Sequence, residues 1–285
     1  MTQILKSNID QSVNFVENQL VGFLESRYVR KTDEYFICYL SSQTGCNRAC
    51  QFCHLTATGQ TAFTDADFQD FMHQAMEVFR HYRRENKKAK YMHFNFMARG
   101  EALANKYLLN HADEFLTSLG QLATKENLNP KFNISTILPK SLDKSLNDVF
   151  KLITPTIYWS LYSVNEDFRK KWMPASHSVE ESLRILKDYQ KMTKKIIKIH
   201  HTFIEGENDS VEDVLDMCNI LNQAKLQTEF NLVRYNPFSE NQGKESSDDV
   251  LNRNLDLIEK HLSGKVQTIP RVGFDVKASC GMFVK

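Results

Sequence analysis

The chain has 285 residues, 41% of them hydrophobic and 25% charged, and its formal net charge is +1 at pH 7. This composition is typical of a globular protein and excludes a largely disordered one. The balanced charge argues against a protein that binds nucleic acid over its whole surface, but local basic patches remain compatible with it. The sequence has no signal peptide and no apolar run of membrane length, so we expect a cytoplasmic, monomeric protein without a membrane anchor.

Strand-like and helix-like segments alternate along the chain. Apolar, β-rich runs predict six strands, at 35–40, 91–97, 132–136, 156–162, 196–203 and 229–233. Helical spacing predicts six helices, at 65–83, 107–122, 142–152, 179–192, 211–223 and 248–262. This alternation predicts an α/β fold in one domain over 1–285, with a partial (β/α)6 barrel and a C-terminal tail in 31–285. Residues 1–30 are predicted to be a short extension, mainly a helix at 11–24.

Three of the six cysteines, Cys46, Cys50 and Cys53, lie within eight residues directly after the first predicted strand. In a reducing compartment such a cluster indicates a metal site rather than a disulfide framework. The CxxxCxxC spacing, with Phe52 before the last cysteine, predicts a [4Fe-4S] cluster. Its fourth iron, which has no cysteine ligand, would bind S-adenosylmethionine (SAM), and an electron from the cluster would cleave SAM to a radical. The alternatives are a structural zinc site with His54 as fourth ligand, or buried cysteines without a metal.

Further motifs follow the later strands. They are SSQTGC at 41–46, GEALAN at 100–105, IST at 134–136, SLYS at 160–163, NLVRYNPF at 231–238 and RVGFDVKASCG at 271–281. In this order they resemble the RlmN/Cfr family of radical-SAM methyltransferases, which methylate an adenine ring carbon in RNA. The resemblance extends from about Glu25 to the end of the chain.

The resemblance implies a set of residues that bind SAM. The carboxylate of Glu101 would receive the methionine ammonium group by a charge-assisted hydrogen bond. The full implied set is Gly100, Glu101, Ser135, Ser160, Leu161, Tyr162 and Asn236. Taken singly, a polar residue at such a position is more often a helix cap or a turn residue than a ligand.

Cys280 is the most specific feature of the resemblance. By resemblance, its thiolate would take a methyl group from one SAM molecule. A radical from a second SAM molecule would then activate that methyl group for transfer to adenine. We expect transfer to carbon 2 of the ring in preference to carbon 8. Cys38 would attack Cys280 to release the product, leaving a transient disulfide. Glu25 would accept the ring proton.

Two of these implied roles have alternatives. Cys38 lies one residue further from the SSQ motif than the family pattern has it, so it is either a resolving thiol on a bulged strand or a core cysteine. Glu25 is either the proton acceptor or a solvated charge at the end of a helix. Cys218, on the apolar face of a predicted helix, is expected in the core.

Several features depart from the family pattern. Arg99, Tyr162 and Arg234 replace smaller or uncharged residues near the expected site. Only about two dozen residues precede Glu25, where the family has a helical RNA-binding domain, so we expect weakened or altered recognition of a folded RNA. Basic residues that are candidates for RNA contact, or simply a solvated helix face, are Arg80, Arg83, Arg84, Lys87, Lys88, Lys90 and the run 169–172.

The sequence therefore predicts a radical-SAM methyltransferase that acts on adenine in rRNA or tRNA and takes electrons from a flavodoxin-type reductant. One alternative keeps this chemistry and assigns it to a nucleotide, a small RNA or DNA. Another is a non-enzymatic iron-sulfur or zinc protein in which Cys280 has no role.

Overall fold

The computed structural model describes residues 2–86 and 88–284. These residues form one ten-stranded sheet in which every strand pairs with the next in chain order. The strands are β1 Thr2–Lys6, β2 Val13–Asn18, β3 Phe23–Arg30, β4 Tyr35–Tyr39, β5 Tyr91–Phe96, β6 Asn129–Thr136, β7 Thr156–Ser160, β8 Ile197–His201, β9 Thr228–Val233 and β10 Val266–Ile269. The helices are α1 His54–Ala57, α2 Phe68–Tyr82, α3 Lys106–Lys125, α4 Leu146–Val149, α5 Glu166–Trp172, α6 Val179–Thr193, α7 Val211–Ala224 and α8 Asp248–His261.

Strands β4 to β10 are parallel, and a helix lies in each connection between them. The α/β class is thereby confirmed, and the six predicted strands coincide with β4 to β9. The prediction missed β10, whose four residues lie between Gly264 and Pro270 and give little periodicity. Strands β1 and β10 are the sheet edges, so barrel closure remains a prediction.

The predicted helix at 11–24 is wrong. Residues 13–18 and 23–30 are β2 and β3, which with β1 extend the sheet as antiparallel strands. The error has a physical cause: Val13 to Val16 are all buried, and a strand buried on both faces lacks the alternation that separates strand from helix. The chain turns between β2 and β3 at Gly22, which has a φ of +72°.

The two faces of the parallel strands have different surroundings. On β4, Phe36 and Cys38 belong to the hydrophobic core, where the Phe36 ring stacks on Tyr82 of α2 with 4.5 Å between centroids. The alternate residues Tyr35, Ile37 and Tyr39 face a cavity of about 380 Å³. Every strand from β4 to β10 contributes side chains to this cavity, which we call the sheet cavity.

Within residues 2–86 and 88–284, no helix is both long enough and apolar enough to cross a membrane.

A substitution at Gly22 tests the turn between β2 and β3. A Cβ atom added there would lie 2.5 Å from the carbonyl oxygen of Thr44, whereas one added at Gly206, with a similar φ of +71°, would meet no atom within 4 Å. Gly206→Ala should therefore lose only the conformational cost, about 1–2 kcal/mol, and Gly22→Ala about 1–3 kcal/mol more from the overlap. Denaturant unfolding measures both, and equal losses would show that the overlap is relieved without cost.

Candidate active site

The cysteine motif lies in the loop that follows the carboxyl end of β4. Within this loop the Cys46 N–H donates to the Gln60 carbonyl at 3.1 Å, and the Cys53 N–H donates to the Cys50 carbonyl at 3.1 Å. Ala49 has a positive φ of +57°, which lets the chain reverse between the first two cysteines. Cys53 then begins α1. Backbone hydrogen bonds thus bring three thiols to one side of the loop.

Burial raises the pKa of Cys46 to about 12 and of Cys53 to about 11, and it places the pKa of Cys50 well above its usual range. Neighbouring thiols raise these pKa values further, Cys53 that of Cys46, Cys46 and Cys53 that of Cys50, and Cys280 that of Cys53, since charging one thiol disfavours charging the next. The N–H groups of Leu55 and Thr56 oppose this effect at Cys53. Such thiols are protonated on their own, and iron binding is what would remove their protons.

The three cysteines line one side of a second cavity, which we call the cysteine pocket. Its other lining residues include Gly100, Glu101, Ser135, Ser160, Tyr162, Cys280 and Phe283. Among the described residues, no three His, Cys, Asp or Glu side chains converge on a single ion. The thiols nevertheless fit a cubane cluster, because there each cysteine binds a different iron and the fourth iron needs no cysteine.

A zinc site with His54 as fourth ligand fits less well. The His54 ring is buried, and its Nε2 lies 3.0 Å from the Asn236 carbonyl oxygen. A carbonyl only accepts hydrogen bonds, so Nε2 carries the proton and Nδ1 is the nitrogen left for a metal, but His54 does not line the cysteine pocket with the three thiols. Burial lowers the pKa of His54, which keeps the ring neutral.

Glu101 forms the wall of the cysteine pocket beside the loop. Its Oε1 accepts from the Leu103 N–H and its Oε2 from the Ile137 N–H, both at 3.1 Å. Glu101 therefore caps the turn that follows it, as the simpler interpretation predicts, while its carboxylate also lines the pocket. Gly100 has a φ of +90°, and a Cβ atom there would lie 2.6 Å from the Gln43 Cβ. Only glycine fits this approach, which sets the direction of Glu101.

The other predicted SAM residues divide into two groups. Ser135, Ser160 and Tyr162 line the cysteine pocket, and the Tyr162 ring packs edge-on against Phe52 at 4.4 Å. Leu161 does not line the pocket, because it is fully buried in the hydrophobic core. Asn236 is absent from the pocket wall as well, and its Nδ2 donates to the Cys280 carbonyl at 3.0 Å.

Cys280 lies where the two cavities meet, and it lines both of them. The tail that carries it is attached to the first strands of the chain. The Gly273 N–H donates to Asp10 at 2.7 Å, and the Asp275 carboxylate accepts from the Ser7 hydroxyl at 2.7 Å. The N-terminal strands therefore provide the surface that holds the tail.

Glu25 is the centre of a buried ionic network in this region. Its Oε1 accepts from Arg99 at 2.7 Å and from the Val284 N–H at 3.0 Å, and its Oε2 accepts from Arg27 at 3.0 Å and from Asn14 at 2.9 Å. Burial by itself would raise the pKa of Glu25, but the charges of Arg27 and Arg99 outweigh burial and leave its pKa below the ordinary value. Glu25 is therefore an ionised anchor, not a solvated charge.

The two arginines that bind Glu25 also donate hydrogen bonds to the tail backbone. Arg27 donates to the carbonyls of Met282 at 2.7 Å and Ala278 at 3.1 Å, and Arg99 donates to the carbonyl of Val284. We call Glu25, Arg27 and Arg99 the tail clamp. In the sequence, Arg99 was only a departure from the family pattern. Its partners come from β3 and the tail, which are distant in the chain and meet only in the folded protein.

Cys38 is not brought to Cys280. It lies on the helix-facing side of β4, fully buried in the core, while Tyr39 next to it faces the sheet cavity. Burial raises the pKa of Cys38 far above its usual range. All six cysteines lie in the described residues and all are free, so the predicted disulfide is not seen. The one-residue offset in the sequence therefore changes the face of the strand.

Most of the basic residues considered for RNA contact have partners. Arg80 pairs with Glu77, Arg83 with Glu126 and Lys90 with Glu34. The Arg169 guanidinium is buried and donates to the carbonyls of Leu161 and His177, so it holds loops together. Lys87 lies outside the described residues.

Comparison with known proteins identifies one family model and several distant relatives. The model of the radical SAM superfamily matches residues 40–218. A protein of Clostridium beijerinckii named "Probable dual-specificity RNA methyltransferase RlmN" is 28% identical over 98% of this chain and 75% of its own length. The "Dual-specificity RNA methyltransferase RlmN" of Buchnera aphidicola subsp. Baizongia pistaciae is 26% identical over 90% of this chain and 68% of its own.

Solved structures share the fold. A radical SAM methyltransferase from Sphaerobacter thermophilus superposes with a TM-score of 0.83 at 18% identity, over 99% of this chain and 80% of its own. SuiB from Streptococcus suis superposes with a TM-score of 0.57 at 14% identity, over 86% of this chain and 52% of its own.

Glu25→Gln tests the tail clamp. It leaves two buried arginines without their shared carboxylate, so we expect the free energy of unfolding at neutral pH to fall by about 3–5 kcal/mol and the tail to become more sensitive to carboxypeptidase. The same substitution at Glu34, whose ion pair with Lys90 is exposed, should change stability little. Equal effects of the two substitutions would contradict the clamp.

The clamp also predicts a pH dependence. Since the pKa of Glu25 in the folded protein lies below its ordinary value of 4.5, its contribution is present above that value and is lost as pH falls through the lower, folded pKa. The difference in unfolding free energy between wild type and Glu25→Gln should therefore shrink in acid. A difference that stays constant with pH would show that the charge of Glu25 does not stabilise the fold.

Proposed function

Because the chain belongs to the radical SAM superfamily, we propose that it is a methyltransferase in which Cys280 carries a methyl group to carbon 2 of an adenine in RNA. The RNA part of this proposal is supported by the relatives, which are named as RNA methyltransferases. The carrier part is supported by the position of Cys280. A flavodoxin-type electron donor remains a prediction.

The cofactors of the superfamily are a [4Fe-4S] cluster and SAM. We propose Cys46, Cys50 and Cys53 as the cluster ligands, with Gly100, Glu101, Ser135, Ser160 and Tyr162 around the bound SAM. When bound, these cofactors supply a methyl group and a carbon radical. The carboxylate of Glu101, held by two backbone N–H groups, would receive the cationic amino group of SAM.

The placement of Cys280 carries the proposal. One side of this residue borders the pocket of the three cysteines, and the other borders the sheet cavity. A thiol that must receive a group from one ligand and pass it to another has to contact both sites, and this position does so without movement of the backbone. The tail clamp and the hydrogen bond from Asn236 fix that backbone on both sides of Cys280.

Cys280 must act as a thiolate, since a thiol is a poor nucleophile towards a methyl group. The surrounding protein raises its pKa, although the residue retains contact with solvent. The positive charge of Arg27 and the N–H of Gly281 act in the opposite direction. Arg27 therefore has two roles: it holds the tail and it favours the charged form of Cys280.

Glu25 and Cys38 take other roles than the resemblance implies. Both oxygens of the Glu25 carboxylate are used by the clamp, so we assign Glu25 to positioning the tail rather than to accepting a proton. Apart from Cys280, no cysteine among the described residues lines the sheet cavity. We propose that a thiolate from outside the chain attacks the sulfur of Cys280 and forms a mixed disulfide, while the bond from that sulfur to the product carbon breaks. The electron pair stays with that carbon, which takes up a proton as it becomes the methyl group.

Mass spectrometry of the Cys280 peptide tests the carrier role. Protein purified from cells should carry a methyl group on Cys280, and the anaerobically reconstituted enzyme with dithionite should form 5′-deoxyadenosine from SAM. Cys46→Ala should abolish 5′-deoxyadenosine, while Cys218→Ala, a core substitution, should retain both signals. An unmodified Cys280 in protein that still cleaves SAM would refute the carrier role.

Cys38→Ala tests the release step. Because Cys38 faces the core, wild type and this variant should both retain a protein–RNA adduct on a denaturing gel without added thiol, and both should release product at the same rate once dithiothreitol is added. Cys218→Ala is the control for the stability lost with a buried thiol. Accumulation of an adduct only in Cys38→Ala would restore the resolving role to Cys38.

A further inference from the structure

The sheet cavity continues beyond Cys280 to the opposite ends of the strands. Cys280 and Ser135 lie at the carboxyl ends, whereas Lys31 precedes β4 and Lys265 precedes β10. The five-residue strand β4 separates these two ends by about 16 Å. A bare nucleobase is too short to contact both ends. The cavity volume of about 380 Å³ lies within the range of ligand pockets, about 300–1,000 Å³.

The far end of the cavity is positively charged. Among the described residues, no Asp or Glu lines the cavity, whereas Lys31, Lys198 and Lys265 all do. Lys198 is paired with Glu229 at 2.6 Å. For Lys31 and Lys265 the described part of the chain supplies no carboxylate partner. Desolvation lowers the pKa of Lys31, as expected for an ammonium group that faces a cavity without a counter-ion.

The walls between the two ends are flat, polar and neutral. The Tyr35 and His93 rings stack with 4.6 Å between centroids, and Tyr158 and His200 form a second ring pair. Burial lowers the pKa of His93 to about 4 and of His200 to about 3, so neither is charged at neutral pH. These rings offer surfaces on which a heteroaromatic base can stack.

Amide side chains form the rest of the wall. Asn133 donates to Asn95 at 2.7 Å, and Gln267 donates to Asn231 at 2.8 Å. Each of these bonds uses one donor and one acceptor, and an amide side chain has two donors and two acceptor positions. The amides can therefore both support each other and pair with the edge of a base.

We propose that the sheet cavity binds a nucleotide unit, with its base against the amides and rings below Cys280 and its phosphate at Lys31 and Lys265. This inference rests on the proposed function for the direction of the base towards Cys280. The phosphate can belong to a free nucleotide or to one residue of an RNA strand, because both present the same group. In either case the phosphate reaches the cavity from the side of exposed Lys265.

Binding to the reconstituted protein tests this site without turnover. AMP, adenosine and a short adenosine-containing RNA are titrated by calorimetry into wild type, Lys31→Gln, Lys265→Gln and the control Lys191→Gln, which removes one exposed charge on α6. If the site takes a free nucleotide, AMP should bind about tenfold more weakly to Lys31→Gln and Lys265→Gln than to wild type, because a charge-assisted contact is lost. If the site takes one residue of a strand, the RNA should show this loss. Adenosine, which has no phosphate, should be unaffected.

The results separate the two sources and the two proposals. Lysine-dependent binding of AMP identifies a free nucleotide, and lysine-dependent binding of the RNA without AMP binding identifies a strand. If no ligand binds more weakly to Lys31→Gln or Lys265→Gln than to Lys191→Gln, the site is refuted. Lysine-dependent binding in a protein whose Cys280 is never methylated would keep this site and refute the proposed function instead.

Discussion

The carboxylate of Glu25 shares its two oxygens between Arg27 and Arg99, and all three side chains lie out of contact with water. Removing these charges from water is costly, and the cost is offset by close ion pairs and by hydrogen bonds to the remaining donors and acceptors. Many of these partners are backbone groups of the tail, at Ala278, Met282 and Val284, although Arg27 Nε has no partner among the described residues. The first strands, the ion network and the last residues of the chain therefore stabilise one another.

The position of Cys280 follows from this constraint. The tail has no regular secondary structure of its own, so its conformation depends on what holds it. With the clamp on one side and Asn236 and the His54 backbone on the other, the thiol stays between the cysteine pocket and the sheet cavity. A short irregular segment thereby joins the cysteine pocket, the proposed site of radical formation, to the sheet cavity, the proposed site of the substrate.

The sequence predicted the parallel half of the fold well, because β4 to β9 and their helices have clear periods of two and of 3.6 residues. It failed where burial on both faces removes alternation, as at Val13 to Val16. The loop cysteines, Glu101 and Cys280 could be located from motifs alone. The clamp could not, because Glu25, Arg99 and Val284 are far apart in the chain. The position of Cys38 stayed open between two interpretations, because one residue decides which face of a strand a side chain occupies.

A signal for the sheet cavity was nevertheless present. In parallel strands covered on both faces, alternate polar residues such as Tyr35, His93, Asn95 and Asn133 are unusual. They indicate an interior face that contacts something other than a hydrophobic core, and in the structure they line the sheet cavity.

An anaerobic crystal structure of the reconstituted protein with SAM would show whether the clamped tail holds Cys280 between the two sites. We expect a [4Fe-4S] cluster on Cys46, Cys50 and Cys53, the ion network of Glu25 intact, and the sulfur of Cys280 exposed to both cavities. A tail displaced from Arg27 and Arg99 when the cluster is bound, with Cys280 outside both cavities, would contradict this expectation.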